Sequence, residues 1–360
     1  MSKFITQFPL FDNCNLNCDF CVEHCGPFNK IDYDYIENIG ERFVKEHEKA
    51  FNTRFPDVDE LEVGLCGGEL FAVKDLERLK SSLRIMQIEF IRNIHQNFPK
   101  IKTIHWNWTS NLVLSDIDRV IKFFIEFQGD IHTSYDIVGR FKDLKQVEIW
   151  KRNLKIIRHK FGKRFVDVCF VFTKPNIEAF VELAKKDPNR IGFHNAIPKD
   201  VPIDLSYYVP VNDNCKYLTA NDDLVYKFFD TAIKLKMFNC IQVRNVWNIV
   251  KNPDISIDKY CLCFDGNTWM DRDYNTFDCF DQLDKNLSLI KPEHRDLVKK
   301  SMDDPRIASC TIRGCYTCEY SHRCQKMCYM MVCNKYYKVD SVCPLYRIYK
   351  NIEEGVYDGA

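Results

Sequence analysis

Apolar and polar positions change their period along the chain, and those changes mark out its elements. Six runs read as strands: FITQFPL (4–10), ELEVGL (60–65), KTIHWNWT (102–109), DIHTSY (130–135), FVDVCFVF (165–172) and RIGFHN (190–195). Each is short and rich in β-branched or aromatic residues, often alternating with polar ones. Between them, apolar residues recur every three or four positions over 33–51, 73–98, 115–127, 144–161 and 177–186, the spacing of amphipathic helices. Strand and helix in alternation predict a parallel sheet of βα units, and six strands suit a partial (β/α)6 TIM-like barrel. Ligands in such folds gather at the carboxyl ends of the strands. One more helix is predicted over Asp222–Phe238, and beyond about residue 240 the alternation stops. There NTWM and NTFD flank a polar turn, DRDYN, and predict a β-hairpin. The chain is read as α/β, with the barrel over residues 1–240 and a small domain of hairpin and short helices over 241–360.

Composition narrows the functional classes. Lys plus Arg equals Asp plus Glu, 51 of each, so no charge footprint for nucleic acid is present. No apolar run reaches the length of a membrane span. The N-terminus lacks the apolar stretch of a secretory signal, and the cytoplasm is the expected location. In that reducing compartment 18 cysteines are not a disulfide framework; in short spaced clusters they read as metal ligands.

The first cluster is Cys14, Cys18 and Cys21, spaced C-x3-C-x2-C directly after the first predicted strand. Three thiolates on one loop can hold three irons of a [4Fe–4S] cubane and leave the fourth iron open; zinc or three unrelated thiols are the competing readings. The spacing, with the aromatic Phe20 before the last cysteine, resembles the radical S-adenosylmethionine (SAM) superfamily. Further matches sit at successive strand ends. Gly67, Gly68 and Glu69 resemble the family's GGE, which binds the amino group of SAM, although Leu70 replaces the usual proline. Thr109, Ser110 and Asn111 resemble its Thr-Asn-Gly, and Ser134, Tyr135 and Asp136 its Ser-Leu-Asp. The resemblance implies SAM contacts from Phe20, Gly67, Gly68, Glu69, Ser110, Asn111, Ser134 and Asp136. It also implies an arginine for the SAM carboxylate, with Arg140 and Arg152 both in play. Two glycines would let backbone approach a ligand, and Glu69 would pair with an ammonium.

The second cluster is Cys315, Cys318, Cys324 and Cys328, spaced C-x2-C-x5-C-x3-C, with Cys343 beyond. It resembles the SPASM domain, which carries two auxiliary [4Fe–4S] clusters. The resemblance implies one cluster on Cys263, Cys279 and Cys328 with Cys261, and another on Cys315, Cys318, Cys324 and Cys343. The pattern's glycine, set off from Cys279 by four intervening residues, is not present; Tyr274 stands at that place. Structural zinc is the alternative. The other cysteines are Cys25, Cys66, Cys169, Cys215, Cys240, Cys310 and Cys333. Cys169 is expected in the core; Cys240 and Cys310 are candidates for a hydrogen-atom donor. Asp281 and Asp278 are candidates for a base. Trp106 and Trp108, on one face of the third strand, are expected to serve barrel packing.

The resemblance implies an enzyme that cleaves SAM reductively to a 5′-deoxyadenosyl radical and takes hydrogen from a peptide or protein, as in maturation of ribosomal peptides. It implies three [4Fe–4S] clusters and a flavodoxin or ferredoxin as reductant. Cys14 lies so near the start that leader-peptide binding is expected to use the barrel, the C-terminal domain or a partner. A sugar or aminoglycoside dehydrogenase or epimerase is the alternative enzyme. A cysteine-rich zinc protein used for binding is the non-enzymatic reading.

Overall fold

The computed structural model describes residues 3–21, 31–53, 55–186, 196–208, 213–252, 254, 268–270, 276–277, 289–300, 310–324 and 329–359. Among the described residues, eight strands are ordered β6-β5-β4-β3-β2-β1-β7-β8. They are β1 (Lys3–Pro9), β2 (Glu60–Cys66), β3 (Thr103–Thr109), β4 (Asp130–Ser134), β5 (Phe165–Phe172), β6 (Ile203–Tyr207), β7 (Thr268–Met270) and β8 (Thr276–Phe277). The helices between them are α1 (Tyr33–Glu37), α2 (Ile39–Thr53), α3 (Leu76–Asn97), α4 (Ile117–Glu126), α5 (Leu144–Phe161) and α6 (Lys174–Lys186). After β6 come α7 (Asp222–Lys234), α8 (Ile241–Lys251), α9 (Pro292–Lys300), α10 (Tyr329–Cys333) and α11 (Pro344–Glu353). The first six strands are parallel and alternate with helices, which makes the fold an α/β partial barrel.

Two compact units interleave along the chain. One comprises Met1–Thr133, Asp143–Val166 and Asp265–Asp278; the other comprises Ser134–Lys142, Asp167–Phe264 and Cys279–Ala360.

In the first unit, β1 and β2 pair from Lys3 opposite Glu60 to Pro9 opposite Cys66, and β2 and β3 pair through Leu65 opposite Trp108. The three carboxyl ends are therefore level. One face of these strands carries aromatics that pack on helices: Phe4 on Phe43 and Phe51, with centroids 6.3 and 4.8 Å away. Trp106 meets Phe90 of α3 at 5.4 Å, and Trp108 meets Phe123 of α4 at 5.3 Å. The two tryptophans serve barrel packing, as their shared face predicts. The opposite face is polar: Asn107 donates to Glu62, which also pairs with Lys3.

Aspartates start the helices. Asp75, Asp116 and Asp143 accept from the N–H of Arg78, Arg119 and Gln146 at 3.0, 3.2 and 2.9 Å, each satisfying a donor that the helix cannot use itself. At the other end of α4, Arg164 donates to the carbonyls of Phe124, Phe127 and Gly129 at 2.8, 3.2 and 2.8 Å. The hairpin of β7 and β8 pairs Trp269 with Phe277, and β7 runs parallel to β1 through Thr6 opposite Thr268. It covers a strand edge that would otherwise stand open.

In the second unit, Val168 lies opposite Ile203 and Phe172 opposite Tyr207. Phe172 of β5 and Phe180 of α6 pack on Phe228 of α7 at 4.9 and 5.0 Å.

Two expectations shift. The sixth strand is Ile203–Tyr207, whereas RIGFHN (190–195) lies outside the described residues. The helix predicted over 33–51 is broken at Asn38, whose side-chain amide donates to the Asp34 carbonyl at 2.8 Å. That bond competes with the helical ladder.

Candidate active site

The chain leaving β2 is stitched to the chain leaving β1. Leu10 N donates to Cys66 O at 2.9 Å, Gly68 N to Phe11 O at 2.5 Å, and Glu69 N to Asn13 O at 2.6 Å. Gly67 has φ +99°, and a Cβ there would strike the Phe11 carbonyl. A Cβ at Gly68 would strike the backbone of Asn13. The glycine pair thus admits the backbone of the cysteine loop.

Glu69 then turns inward and is 1 % exposed. Its Oε1 accepts from Ser110 Oγ at 3.0 Å and Phe71 N at 3.4 Å, and its Oε2 from Asn111 N at 2.6 Å. Burial pushes its carboxyl up to about 7, against the pull of those hydrogen bonds. Asn111 extends the network. Its Nδ2 donates to Asn15 Oδ1 at 2.7 Å and lies 3.7 Å from Cys14 Sγ. Asn15 Nδ2 donates to Val113 O at 2.6 Å. Leu112, fully buried, takes φ +54° between them. This left-handed conformation costs a branched residue about 1–2 kcal/mol. Leu112 N donates to Ser110 Oγ at 3.2 Å, and Asn153 Nδ2 holds Leu112 O at 2.9 Å.

Cys14, Glu69, Ser110 and Asn111, proposed from separate motifs, are thus brought into one network. Leu16 N points at Cys14 Sγ at 3.4 Å. Burial pushes the Cys14 thiol up, and nearby Glu69 and Cys21 add to that rise. Cys21 N donates to Cys18 O at 3.1 Å, and Phe20 is buried. Asn15 was missed by sequence reasoning; an amide beside the first cysteine was its only signal.

In the second unit, Asp136 is fully buried. It accepts from Arg140 Nε at 2.6 Å, Val171 N at 2.8 Å and Asn176 Nδ2 at 3.1 Å. Burial raises its carboxyl and Arg140 opposes the rise. Ser134 ends β4, half-buried. Of the two arginine candidates, Arg140 is engaged with Asp136, and Arg152 in the first unit donates to Asn153 Oδ1 at 3.2 Å.

Of the expected auxiliary ligands, Cys315, Cys318 and Cys343 are half-buried and Cys324 is buried, all in the second unit. Cys318 N donates to Cys315 O at 3.1 Å. The segments carrying these cysteines are tied by a buried node. The Asp222 carboxylate takes both Arg313 Nη groups, Tyr337 OH at 2.6 Å and Asp340 N at 2.8 Å. Arg323, beside Cys324, donates to the carbonyls of Asn248, Ile249 and Asn252 at the end of α8, at 3.4, 2.6 and 2.9 Å. Cys261, Cys263, Cys279, Cys328, Asp278 and Asp281 lie outside the described residues. Cys169 lies in β5, half-buried on the face opposite the buried Val168 and Phe170, and not among those core side chains. Cys240 is fully buried, and burial pushes its thiol up to about 12.

None of the described cysteines is in a disulfide. Among the described residues, no three His, Cys, Asp or Glu side chains converge as on a single metal ion. A cubane takes each thiolate on a separate corner iron and does not demand such convergence. The donors present fit that group: three thiols on one short loop, with the Leu16 N–H and the Asn111 side-chain amide aimed at Cys14 sulfur, the type of donor that a cluster thiolate accepts.

No protein-family model matches the chain, and no curated protein matches it. Solved structures do. Native anSMEcpe with bound AdoMet and Cp18Cys peptide superposes with a TM-score of 0.58 at 14% identity, covering 100% of this chain and 98% of that one. The chain shares its fold with anSMEcpe. Native anSMEcpe with bound AdoMet gives 0.57 at 14% identity, over 99% of this chain and 97% of that one. Streptococcus suis SuiB bound to precursor peptide SuiA gives 0.43 at 16% identity, over 95% and 76%. Among the described residues no helix is long and apolar enough to cross a membrane.

Proposed function

We propose that this protein is a radical SAM enzyme that modifies a peptide or protein substrate. The observation that carries the reading is the junction of Glu69, Ser110, Asn111 and Cys14 at three level strand ends. It joins a carboxylate suited to an ammonium with the loop that bears three thiols. The fold shared with anSMEcpe, whose structures hold AdoMet and a peptide, supports the same reading. Cys14, Cys18 and Cys21 would hold a [4Fe–4S] cluster, which supplies the electron that cleaves SAM and so yields the 5′-deoxyadenosyl radical. Glu69 would orient the methionine amino group, with Phe20, Gly67, Gly68, Ser110 and Asn111 completing the SAM site in the first unit; Ser134 and Asp136 are the further SAM contacts that the resemblance implies. Residues 1–240 form the catalytic barrel in this reading, and residues 241–360 hold two auxiliary clusters on Cys261, Cys263, Cys279 and Cys328 and on Cys315, Cys318, Cys324 and Cys343. Asp278 or Asp281 would take the substrate proton. A cytoplasmic flavodoxin or ferredoxin would deliver the electron.

Anaerobic reconstitution tests the proposal. About twelve irons per chain are expected, four for each of three clusters. Dithionite-reduced protein should release 5′-deoxyadenosine from SAM, and Cys14→Ala should abolish the release. Zinc in place of iron, or iron-loaded protein that never forms 5′-deoxyadenosine, would refute it.

A further inference from the structure

Tyr349 lies on α11, six residues after Cys343, which caps that helix with Pro344 in its first turn. Its hydroxyl donates to Cys324 Sγ at 3.2 Å. Both side chains are inside the protein, at 1 % and 8 % exposure. One short helix therefore begins at one expected cluster ligand and carries a donor to another. The donor is held from several sides. The ring of Tyr349 packs against Tyr320 with centroids 4.8 Å apart. The helix is fastened to α7, where Arg347 stacks over the Tyr226 ring at 3.8 Å and Asn351 Nδ2 donates to Tyr226 OH at 3.0 Å. On the far side, Arg323 anchors the residue next to Cys324 to the end of α8. A phenylalanine would fill the same space without leaving a hydroxyl to satisfy. A buried hydroxyl costs free energy unless it is bonded, and here it is spent on sulfur.

We propose that Tyr349 is a positioning residue whose O–H bond to the Cys324 thiolate raises the reduction potential of the auxiliary cluster expected on Cys315, Cys318, Cys324 and Cys343. The inference rests on the proposed function, since it needs a cluster at those cysteines. The direction follows from charge. Reduction adds a negative charge to the cluster and its thiolates, a hydrogen bond to sulfur stabilises the more negative state, and the potential rises.

The test uses full-length protein carrying Cys14→Ala, Cys18→Ala and Cys21→Ala, so that only auxiliary clusters report. Iron, sulfide and electron paramagnetic resonance of this background decide whether those clusters exist; without them, the reading on which the inference rests fails. With them, Tyr349→Phe is compared by redox titration. At a fixed potential the ratio of oxidised to reduced cluster should rise about tenfold, equivalent to a midpoint about 59 mV more negative for a one-electron couple. An unchanged midpoint at unchanged iron content overturns the inference. Should Tyr349→Phe lose iron, 3-fluorotyrosine at position 349 decides: a more acidic phenol is a stronger donor and should move the midpoint upward, and no movement overturns the inference.

Discussion

Replacing Asp222 should damage the second unit more than any other single change at a charged residue described above. Arg313 and Asp222 form an ion pair whose side chains are 3% and 1% exposed. The carboxylate is saturated: it accepts two guanidinium N–H groups, the Tyr337 hydroxyl and the Asp340 amide. Asp222→Ala would leave the Arg313 charge buried without its counter-ion, and losses of that type run to about 3–5 kcal/mol. Two further donors, Tyr337 OH and Asp340 N, would also lose their acceptor. The double variant Asp222→Leu with Arg313→Met removes both charges and should cost less than Asp222→Ala alone, because it strands none. Urea unfolding of the anaerobically purified full-length chain measures the global effect, and hydrogen exchange at the Asp340 amide measures the local one. A local opening cheaper by about 3 kcal/mol should lower protection at that amide by more than about 100-fold. If Asp222→Ala stays within about 1 kcal/mol of the wild type, or the double variant is the less stable, the assignment of this node as a buried-charge clamp is wrong.

Other changes probe the two sites separately. The folded-state Glu69 carboxyl lies near 7, above its unfolded value of about 4.3, so the fold favours the protonated form; stability should fall by about 3 kcal/mol as pH rises from about 4.5 to 7, then level off. Glu69→Gln should remove that slope in urea midpoints measured across the range, and an identical slope in the variant would contradict the burial argument. SAM binding through its ammonium should strengthen with pH up to about 7 in the wild type, and calorimetry on reconstituted protein should find no such rise in Glu69→Gln. Gly68→Ala drives a methyl into the Asn13 backbone and should force the cysteine loop off β2, raising the rate of Cys14 alkylation in the apo protein by about tenfold or more; an unchanged rate would mean that the loop does not depend on the glycine. Arg323→Ala frees three carbonyls at the end of α8 and should cost about 1–2 kcal/mol in thermal unfolding, with Arg323→Lys recovering only part of the loss.

The strands that were legible in the sequence are those whose aromatic residues meet helices. Trp106 and Trp108 alternate with polar neighbours because one face packs on α3 and α4 while the other does not. The sixth strand follows the same rule over Ile203–Tyr207, with Asp204 and Ser206 on the opposite face. Five residues after a proline offer too few repeats for that period to stand out. The cysteine spacings and the GGE were legible as chemistry. Their partners were not, because those bonds depend on register. Asn111 reaches Asn15 across 96 positions of sequence, and Tyr349 of α11 reaches Cys324 across 25.

Register also accounts for the assembly of the first site. Pro9 pairs with Cys66 and Leu65 with Trp108, so β1, β2 and β3 finish at one level. Whatever follows each strand must then share the same few ångströms. The cysteine loop follows β1, Gly67-Gly68-Glu69 follows β2, and Ser110-Asn111 follows β3. A one-residue slip of β2 against β1 would turn its side chains to the opposite face, burying Glu60 and Glu62 where Leu61 and Val63 now pack. The apolar face of β2 therefore holds the register, and the register places Glu69 between Ser110 and the Cys14 loop. On this argument, Val63→Thr, which leaves the strand's shape intact but weakens that apolar face, should loosen the site before it unfolds the chain. Alkylation of Cys14 should quicken at urea concentrations where far-ultraviolet circular dichroism is still native. If alkylation and circular dichroism change together, the site does not depend on the register of β2 in the way described.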